Sequence, residues 1–367
     1  MEQCKGKSGM RVSVIGLRGF PKIEGGVEKH CEALYPKLDE TIRVTVYRRK
    51  PYVEDETSYK NISFIDLPST RIKGFEPFFH SFIATIDTLI KKPDVVHYHN
   101  IGPAFFSPIL KIRKIPVVLT YHSPNYEHKK WGKFARKLLL LSEKIALKTA
   151  DKIIFVSSFQ MEKYDEHIKN KSVYVPNGIN DLPISNNDDF LKKIGVVKKK
   201  YILSVGRITH EKGFDTLIKA YKKATKGNFK LVIAGGVEFE SDYMKQLQVL
   251  CEGEDVIFTG YTYGDNLYQL YSNAGLYVLA SYNEGFPLVM LEAMKYGLDL
   301  LVSDIPATHL VDLDESDYFE CGNYEMLANK ISERIKNIHR RKYDLCKYNW
   351  DIVAEEVSAI FYEVAGI

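Results

Sequence analysis

Arg11-Val-Ser-Val-Ile-Gly-Leu-Arg-Gly-Phe-Pro-Lys-Ile-Glu-Gly-Gly-Val-Glu-Lys-His-Cys-Glu-Ala-Leu-Tyr-Pro-Lys-Leu38 reads as a strand, a glycine-rich loop and a helix in direct succession. The β-branched run stops at Gly16, and from Val27 onward apolar Cys31, Leu34 and Leu38 recur at helical spacing. A strand feeding such a loop and helix opens a Rossmann-like half. Further strand patterns lie at 44–47, 63–67, 95–98, 117–121, 153–156 and 173–175, with helical patterns at 76–91 and 131–149 between them. The alternation predicts a parallel sheet covered on both faces. The stripe Phe75, Phe78, Phe79, Phe82, Ile83, Ile86 and Ile90 is expected to lie mostly in the core.

The pattern then restarts. Strands are expected at 201–205, 230–234, 256–259, 276–280 and 300–303, with helices at 214–224, 243–251, 267–272 and 288–296. This is a second doubly wound domain, and a chain of 367 residues suits two cores better than one. The polar stretch 177–200 is the expected linker, and two helical patterns, 324–338 and 350–365, close the chain.

Bulk properties narrow the function classes. The chain is 45% hydrophobic and 27% charged, a globular profile. No apolar run is long enough to span a bilayer, and the first ten residues hold no secretory apolar core. Cys4, Cys31, Cys251, Cys321 and Cys346 are odd in number and lack metal-ligand spacing. They suit free thiols and a cytoplasmic location. Residues 1–180 carry 30 basic against 19 acidic side chains, whereas residues 181–367 carry 21 against 28. The first half therefore suits an anionic partner. Its cations follow no recognition helix or aromatic platform, so nucleic acid is not expected.

Four segments carry chemistry. In Ser281-Tyr-Asn-Glu-Gly-Phe-Pro-Leu-Val-Met-Leu-Glu-Ala-Met-Lys-Tyr-Gly297, Pro287 fits the first turn of a helix. The amides around Gly285, Phe286 and Leu288 would then form a cradle for phosphate or sugar. Glu284 ahead of the helix and Glu292 inside it suit polyol hydroxyls, since a carboxylate accepts two hydrogen bonds. Gly206-Arg207-Ile-Thr-His-Glu-Lys212-Gly213 places two cations between a strand and a helix, where they can offset charge growing on a departing diphosphate. Gly25-Gly26, before the first helix, allows close backbone approach to a ligand. His122, in Thr120-Tyr-His-Ser-Pro124, ends a strand. His97 and His99 share one strand face and offer two metal ligands, but no third is evident and no metal site is assigned.

The segment 281–297 closely resembles the E-G-F-x-L-x-x-x-E-A-M-x-x-G signature of the family 4 retaining glycosyltransferases. The resemblance extends to 206–213, 150–157, 175–179 and 258–261, each in its usual order along the chain. It implies the GT-B fold, two Rossmann-like domains facing each other across a cleft, with a C-terminal helix returning to the first. The expected divisions are 1–180 for the acceptor domain, 181–348 for the donor domain and 349–367 for the returning helix. It implies sugar transfer, with retention, from a nucleotide-sugar to a glycan or lipid-linked acceptor, in surface polysaccharide or glycoconjugate biosynthesis. His122 and Glu284 are the implied catalytic residues. Gly25, Gly26, Arg207, Lys212, Tyr261, Gly285, Phe286, Pro287, Leu288 and Glu292 are the implied donor-binding residues. No cofactor or metal is implied, and no carboxylate pair of the D-x-D kind is visible. The sequence departs from the family at Asp299, where proline is frequent, and at Asp304-Ile-Pro-Ala-Thr-His309. These departures bear on donor identity. The family's usual start favours Met10 over Met1 as the native beginning.

The basic stretch 129–148, with Trp131, Phe134, Leu138, Leu141 and Ile145 at helical spacing, fits either a helix packed by its apolar stripe with a solvated basic face or a docking face for an anionic membrane surface. Two other functions fit a two-domain sugar-nucleotide protein: a non-hydrolysing epimerase, and a non-catalytic sugar-nucleotide sensor.

Overall fold

The computed structural model describes residues 9–23, 25–53, 57–70, 75–124, 126, 132–237 and 242–367. Cys4 and residues 129–131 of the basic stretch lie outside them. The chain forms two compact units, one running to Asn180 and including Lys347–Ile367, the other Asp181–Cys346.

The first unit holds seven strands: β1 (Arg11–Ile15), β2 (Arg43–Arg49), β3 (Ile62–Leu67), β4 (Val95–His99), β5 (Val117–Tyr121), β6 (Lys152–Phe155) and β7 (Ser172–Tyr174). They pair in the order β3-β2-β1-β4-β5-β6-β7, all parallel. β1, β4 and β5 are buried almost throughout, as a sheet covered on both faces requires. The order reverses between β1 and β4. That switch point leaves a crevice at the strand ends, where ligands bind in open α/β sheets.

The helix Trp350–Ala365 belongs to this unit. Trp350, Val353, Ala354, Val357 and Phe361 join the core of β1, β2 and the helix Gly26–Leu34. Gly178 makes room for it, since a Cβ there would come within 2.5 Å of the Trp350 ring.

The helix Glu76–Lys91 reverses its sequence expectation. His80, Ser81, Ala84, Thr85 and Thr88 are its buried residues, whereas Phe75, Phe82, Ile86 and Ile90 are exposed. Several groups of this polar face find partners inside, although the Ser81 hydroxyl and His80 Nδ1 do not. The Thr85 hydroxyl pairs with Tyr98 at 2.6 Å, and a His80 ring nitrogen with the Arg48 carbonyl at 3.1 Å.

The second unit holds β8 (Tyr201–Val205), β9 (Lys230–Ala234), β10 (Val256–Gly260), β11 (Leu276–Leu279), β12 (Leu300–Asp304) and β13 (Tyr318–Glu320), parallel in the order β10-β9-β8-β11-β12-β13. Its switch point lies between β8 and β11. β13 is short and has no pattern that sequence reading could find. The stretch 177–200 carries a one-turn helix, Asp189–Lys193, and is not a plain linker.

Asp299 is a structural residue. It is buried beside β12 and bonds Arg334 at 2.7 Å, while Asp317, fully buried, bonds Arg334 and Arg341. Two carboxylates and two guanidinium groups thus satisfy one another. Removing one partner leaves the others desolvated without compensation. Asp299→Ala is therefore expected to lower the stability of the second unit by about 3–5 kcal/mol in urea unfolding. A change under about 0.5 kcal/mol, usual for an indifferent surface site, would contradict the network.

Candidate functional site

In the second unit the switch point is assembled by backbone contact. Gly213 has φ +61°, and a Cβ there would lie 1.9 Å from the Ala280 carbonyl oxygen at the end of β11. Gly235 packs as closely on the Gly206 carbonyl. The Tyr282 amide donates to the Glu211 carbonyl at 2.8 Å, tying the loop after β8 to the loop after β11. No side chain larger than hydrogen fits at Gly213 or Gly235 without displacing backbone.

These contacts bring Lys212 and Glu284 together. Lys212 Nζ lies 2.6 Å from Glu284 Oε1, and the Ser281 hydroxyl donates to the same oxygen at 2.7 Å. The Glu284 side chain is only 9% exposed and that of Lys212 19%, so the pair is poorly screened by solvent. Gly206 leaves the space that the Lys212 stem fills, with a would-be Cβ 3.5 Å from it. Arg207, directly after Gly206, is exposed.

Glu292 lies in the helix Leu288–Lys295 and accepts a hydrogen bond from the Tyr271 hydroxyl at 2.7 Å. Tyr271 is buried, with Tyr296 and Tyr277 stacked at 5.3 and 6.1 Å. Burial, then the Glu292 charge, pushes the Tyr271 phenol well above its usual pKa, so it remains a donor. The buried Tyr277 phenol is raised by burial and by the charges of both Glu292 and Glu284.

The helix start differs from the sequence expectation by one residue. Pro287 is the cap before the helix, and the Leu288 amide donates to the Phe286 carbonyl at 3.0 Å. Leu288 therefore does not aim its N–H outward. Tyr261, just past β10, packs its ring over Gly236 and stacks on Tyr263 at 6.2 Å. It is 42% exposed, leaving ring surface to offer a flat ligand.

In the first unit, Gly16 (φ +120°) presses on the His99 carbonyl across the switch point, with a would-be Cβ 2.2 Å away. Gly25 caps the helix Gly26–Leu34 and leaves room for the Glu28 carboxylate, which accepts the Arg18 amide at 3.0 Å. Gly26 has open space around its Cβ position.

His122 lies at the end of a hydrogen-bonded chain. Thr120 Oγ1 and His97 Nε2 are 2.7 Å apart, His97 Nδ1 and the Tyr35 hydroxyl 2.8 Å, Tyr35 and His99 Nε2 2.6 Å, and His99 Nδ1 and His122 Nε2 2.9 Å. His30 joins from the first helix, its Nδ1 2.7 Å from Asn177 Oδ1 and its ring 4.9 Å from that of His122. Burial is the first cause that holds these imidazoles neutral. It lowers His97 to about 3 and His30 to about 4, and takes His99 and His122 well below the usual range.

Sequence reading gave no role to His30, four residues past Gly26, or to Asn177 in the segment 175–179, and it missed Tyr35 and Tyr271. Each acts through a partner remote in the chain. His97 and His99 gave two ligands in sequence; the structure places His30 and His122 beside His99.

Residues 24–181 match the family described as Glycosyltransferase Family 4, and residues 186–348 match Glycosyl transferases group 1. An uncharacterised glycosyltransferase of Methanocaldococcus jannaschii is 28% identical, with 96% of this chain and 98% of that protein covered. The amylovoran biosynthesis glycosyltransferase AmsD of Erwinia amylovora is 25% identical over 52% of this chain and 54% of its own. Among solved structures, sucrose-phosphate synthase from Thermosynechococcus elongatus aligns with a TM-score of 0.76 at 20% identity, covering 97% of this chain and 99% of that one. The Anabaena protein HepE, in complex with UDP and glucose, aligns at 0.71 and 18% identity over 97% and 95%. The structural likenesses establish the GT-B fold.

Proposed function

Because this chain belongs to the family 4, group 1 glycosyltransferases, we propose that it moves a sugar, with retention, from a nucleoside-diphosphate sugar to a hydroxyl of a glycan or lipid-linked acceptor. The observation that carries this reading is the Lys212–Glu284 pair at the switch point of the second unit. Its ammonium keeps further N–H donors for a diphosphate oxygen, and the second carboxylate oxygen can take sugar hydroxyls. Arg207 adds planar two-point contact to phosphate. Glu292, oriented by Tyr271, takes ribose hydroxyls, and the exposed Tyr261 ring suits a base.

In the transfer step the bond between the anomeric carbon and the diphosphate oxygen breaks, and the nucleoside diphosphate leaves with the electron pair. Lys212 and Arg207 offset the charge that grows on it, without a metal at the diphosphate. The acceptor oxygen attacks from the same face and its proton passes to the departing phosphate. On the first unit, Gly25, Gly26 and the neutral His122 are the proposed ligand contacts. Biosynthesis of a surface polysaccharide fits the relatives in amylovoran synthesis and in a Klebsiella pneumoniae cps region.

The proposed site of action is the cytoplasmic membrane surface. The helix Lys133–Thr149 exposes Phe134, Leu140 and Leu141 among Lys133, Arg136, Lys137, Lys144 and Lys148. Its acidic residue, Glu143, is turned inward to the hydroxyls of Tyr121 and Tyr164. A face of cations and apolar side chains suits an anionic bilayer. Among the described residues no helix is long and apolar enough to cross one.

Glu284→Gln is expected to lower kcat/KM for transfer by about 100-fold or more, by analogy with loss of one transition-state contact, with the fold retained in circular dichroism. Wild-type activity in this variant would remove Glu284 from the mechanism. Interconversion of free nucleotide-sugar without release of nucleoside diphosphate would indicate the epimerase instead. In co-sedimentation, the protein is expected to bind phosphatidylglycerol vesicles, to release in high salt, and to bind poorly after Lys137→Glu with Lys144→Glu. Equal binding to phosphatidylcholine vesicles, or none to either, would contradict the docking face.

A further inference from the structure

Three histidines of the first unit turn nitrogens toward one another. His30 comes from the helix Gly26–Leu34, His99 from the end of β4, and His122 from just past β5. One ligand atom from each lies within 4.8 Å of the other two. The cluster is built on a helix and two paired strands, with His99 in register beside Thr120. Backbone elements, rather than surface loops, therefore set its geometry.

Two of the outer nitrogens are already held. His30 Nδ1 donates to Asn177 Oδ1 at 2.7 Å, which leaves the His30 Nε2 lone pair facing inward. His99 Nε2 meets the Tyr35 hydroxyl at 2.6 Å, which leaves His99 Nδ1 facing inward as well. Metal-binding imidazoles are oriented by just such partners on the other ring nitrogen. Moreover, His30 Nε2 is buried with no hydrogen-bond partner, in a residue only 4% exposed. An orphaned buried acceptor is costly, and the cost disappears if that lone pair binds a cation.

We propose that His30, His99 and His122 form a binding site for a divalent transition-metal ion of the zinc kind. Three neutral imidazoles without a carboxylate select Zn²⁺, Co²⁺ or Ni²⁺ over Mg²⁺ or Ca²⁺. Zn–N bonds of about 2.0–2.1 Å in a tetrahedron put ligand nitrogens about 3.3 Å apart. His99 Nδ1 and His122 Nε2, now 2.9 Å apart, would separate by a few tenths of an ångström, and His30 Nε2 would close in. His122 is half-buried, and the other two ligands are buried. Three protein ligands leave a fourth position for water or another small ligand. The site shares His122 with the transfer proposed above, whereas the diphosphate contacts proposed there, Lys212 and Arg207, call on no metal.

The test uses Co²⁺ as a visible probe on the chelator-treated full chain. The expected result is d–d bands of a low-coordinate complex that saturate at one equivalent and are displaced by Zn²⁺ but not by Mg²⁺. His122→Gln, at a half-buried position, and His30→Gln should each weaken the binding at least about tenfold, and Tyr35→Phe about 10–100-fold. His339→Gln, at an exposed position, should leave it unchanged. Should His30→Gln fail to fold, His122→Gln decides alone. No Co²⁺ spectrum in the wild-type chain, or a spectrum that survives His122→Gln, would overturn the site and leave the histidines as a hydrogen-bonded chain only.

Discussion

Gly213 passes so close to the end of β11 that hydrogen is the only side chain it can carry, and the chemistry of the second unit follows from that passage. The loop after β8 lies flat against the loop after β11, so the Glu211 carbonyl receives the Tyr282 amide. Lys212 and Glu284, 72 positions apart, then meet at 2.6 Å in a poorly solvated setting. A buried ion pair is weak evidence for stability, because desolvation offsets most of its attraction. Its value here is positional. It holds a cation and a carboxylate at the switch point of the sheet, where open α/β folds bind ligands.

The first unit repeats the device with other residues. Gly16 presses on the carbonyl of His99 across the β1/β4 switch point, as Gly213 presses on Ala280 across β8/β11. The first unit therefore gathers imidazoles where the second gathers charges. Tyr35, Thr120 and Asn177 fix the rings from behind, and burial keeps them uncharged. Each unit presents its polar groups at strand ends and surrounds them with apolar packing.

What could be read from the sequence was what is local. A β-branched run ending in glycine marks a strand end, so β1 and β8 stood out, as did the motif that spans β11 and the next helix. The helix Glu76–Lys91 was legible as a helix, but not which face is buried. Both faces share one period, and the inward face is polar, with Tyr98 and the Arg48 carbonyl, distant in sequence, pairing with Thr85 and His80. Asp299 looked like a departure bearing on the donor, whereas the structure gives it to Arg334 and Arg341. Tyr271 beneath Glu292 and His30 beside His122 were hidden for the same reason: long-range pairs leave no spacing to count.

The central claim is that the second unit holds the donor at the loops that Gly213 and Gly235 bring together. Amide hydrogen exchange of the whole chain, with and without uridine, guanosine, thymidine and adenosine diphosphates in turn, addresses it most directly. Local opening is suppressed where a ligand binds the closed form. For the diphosphate that binds, the account predicts slowed exchange in 206–213, in 281–292 and around Tyr261. Protection by none of the four, or protection confined to other segments, would contradict it.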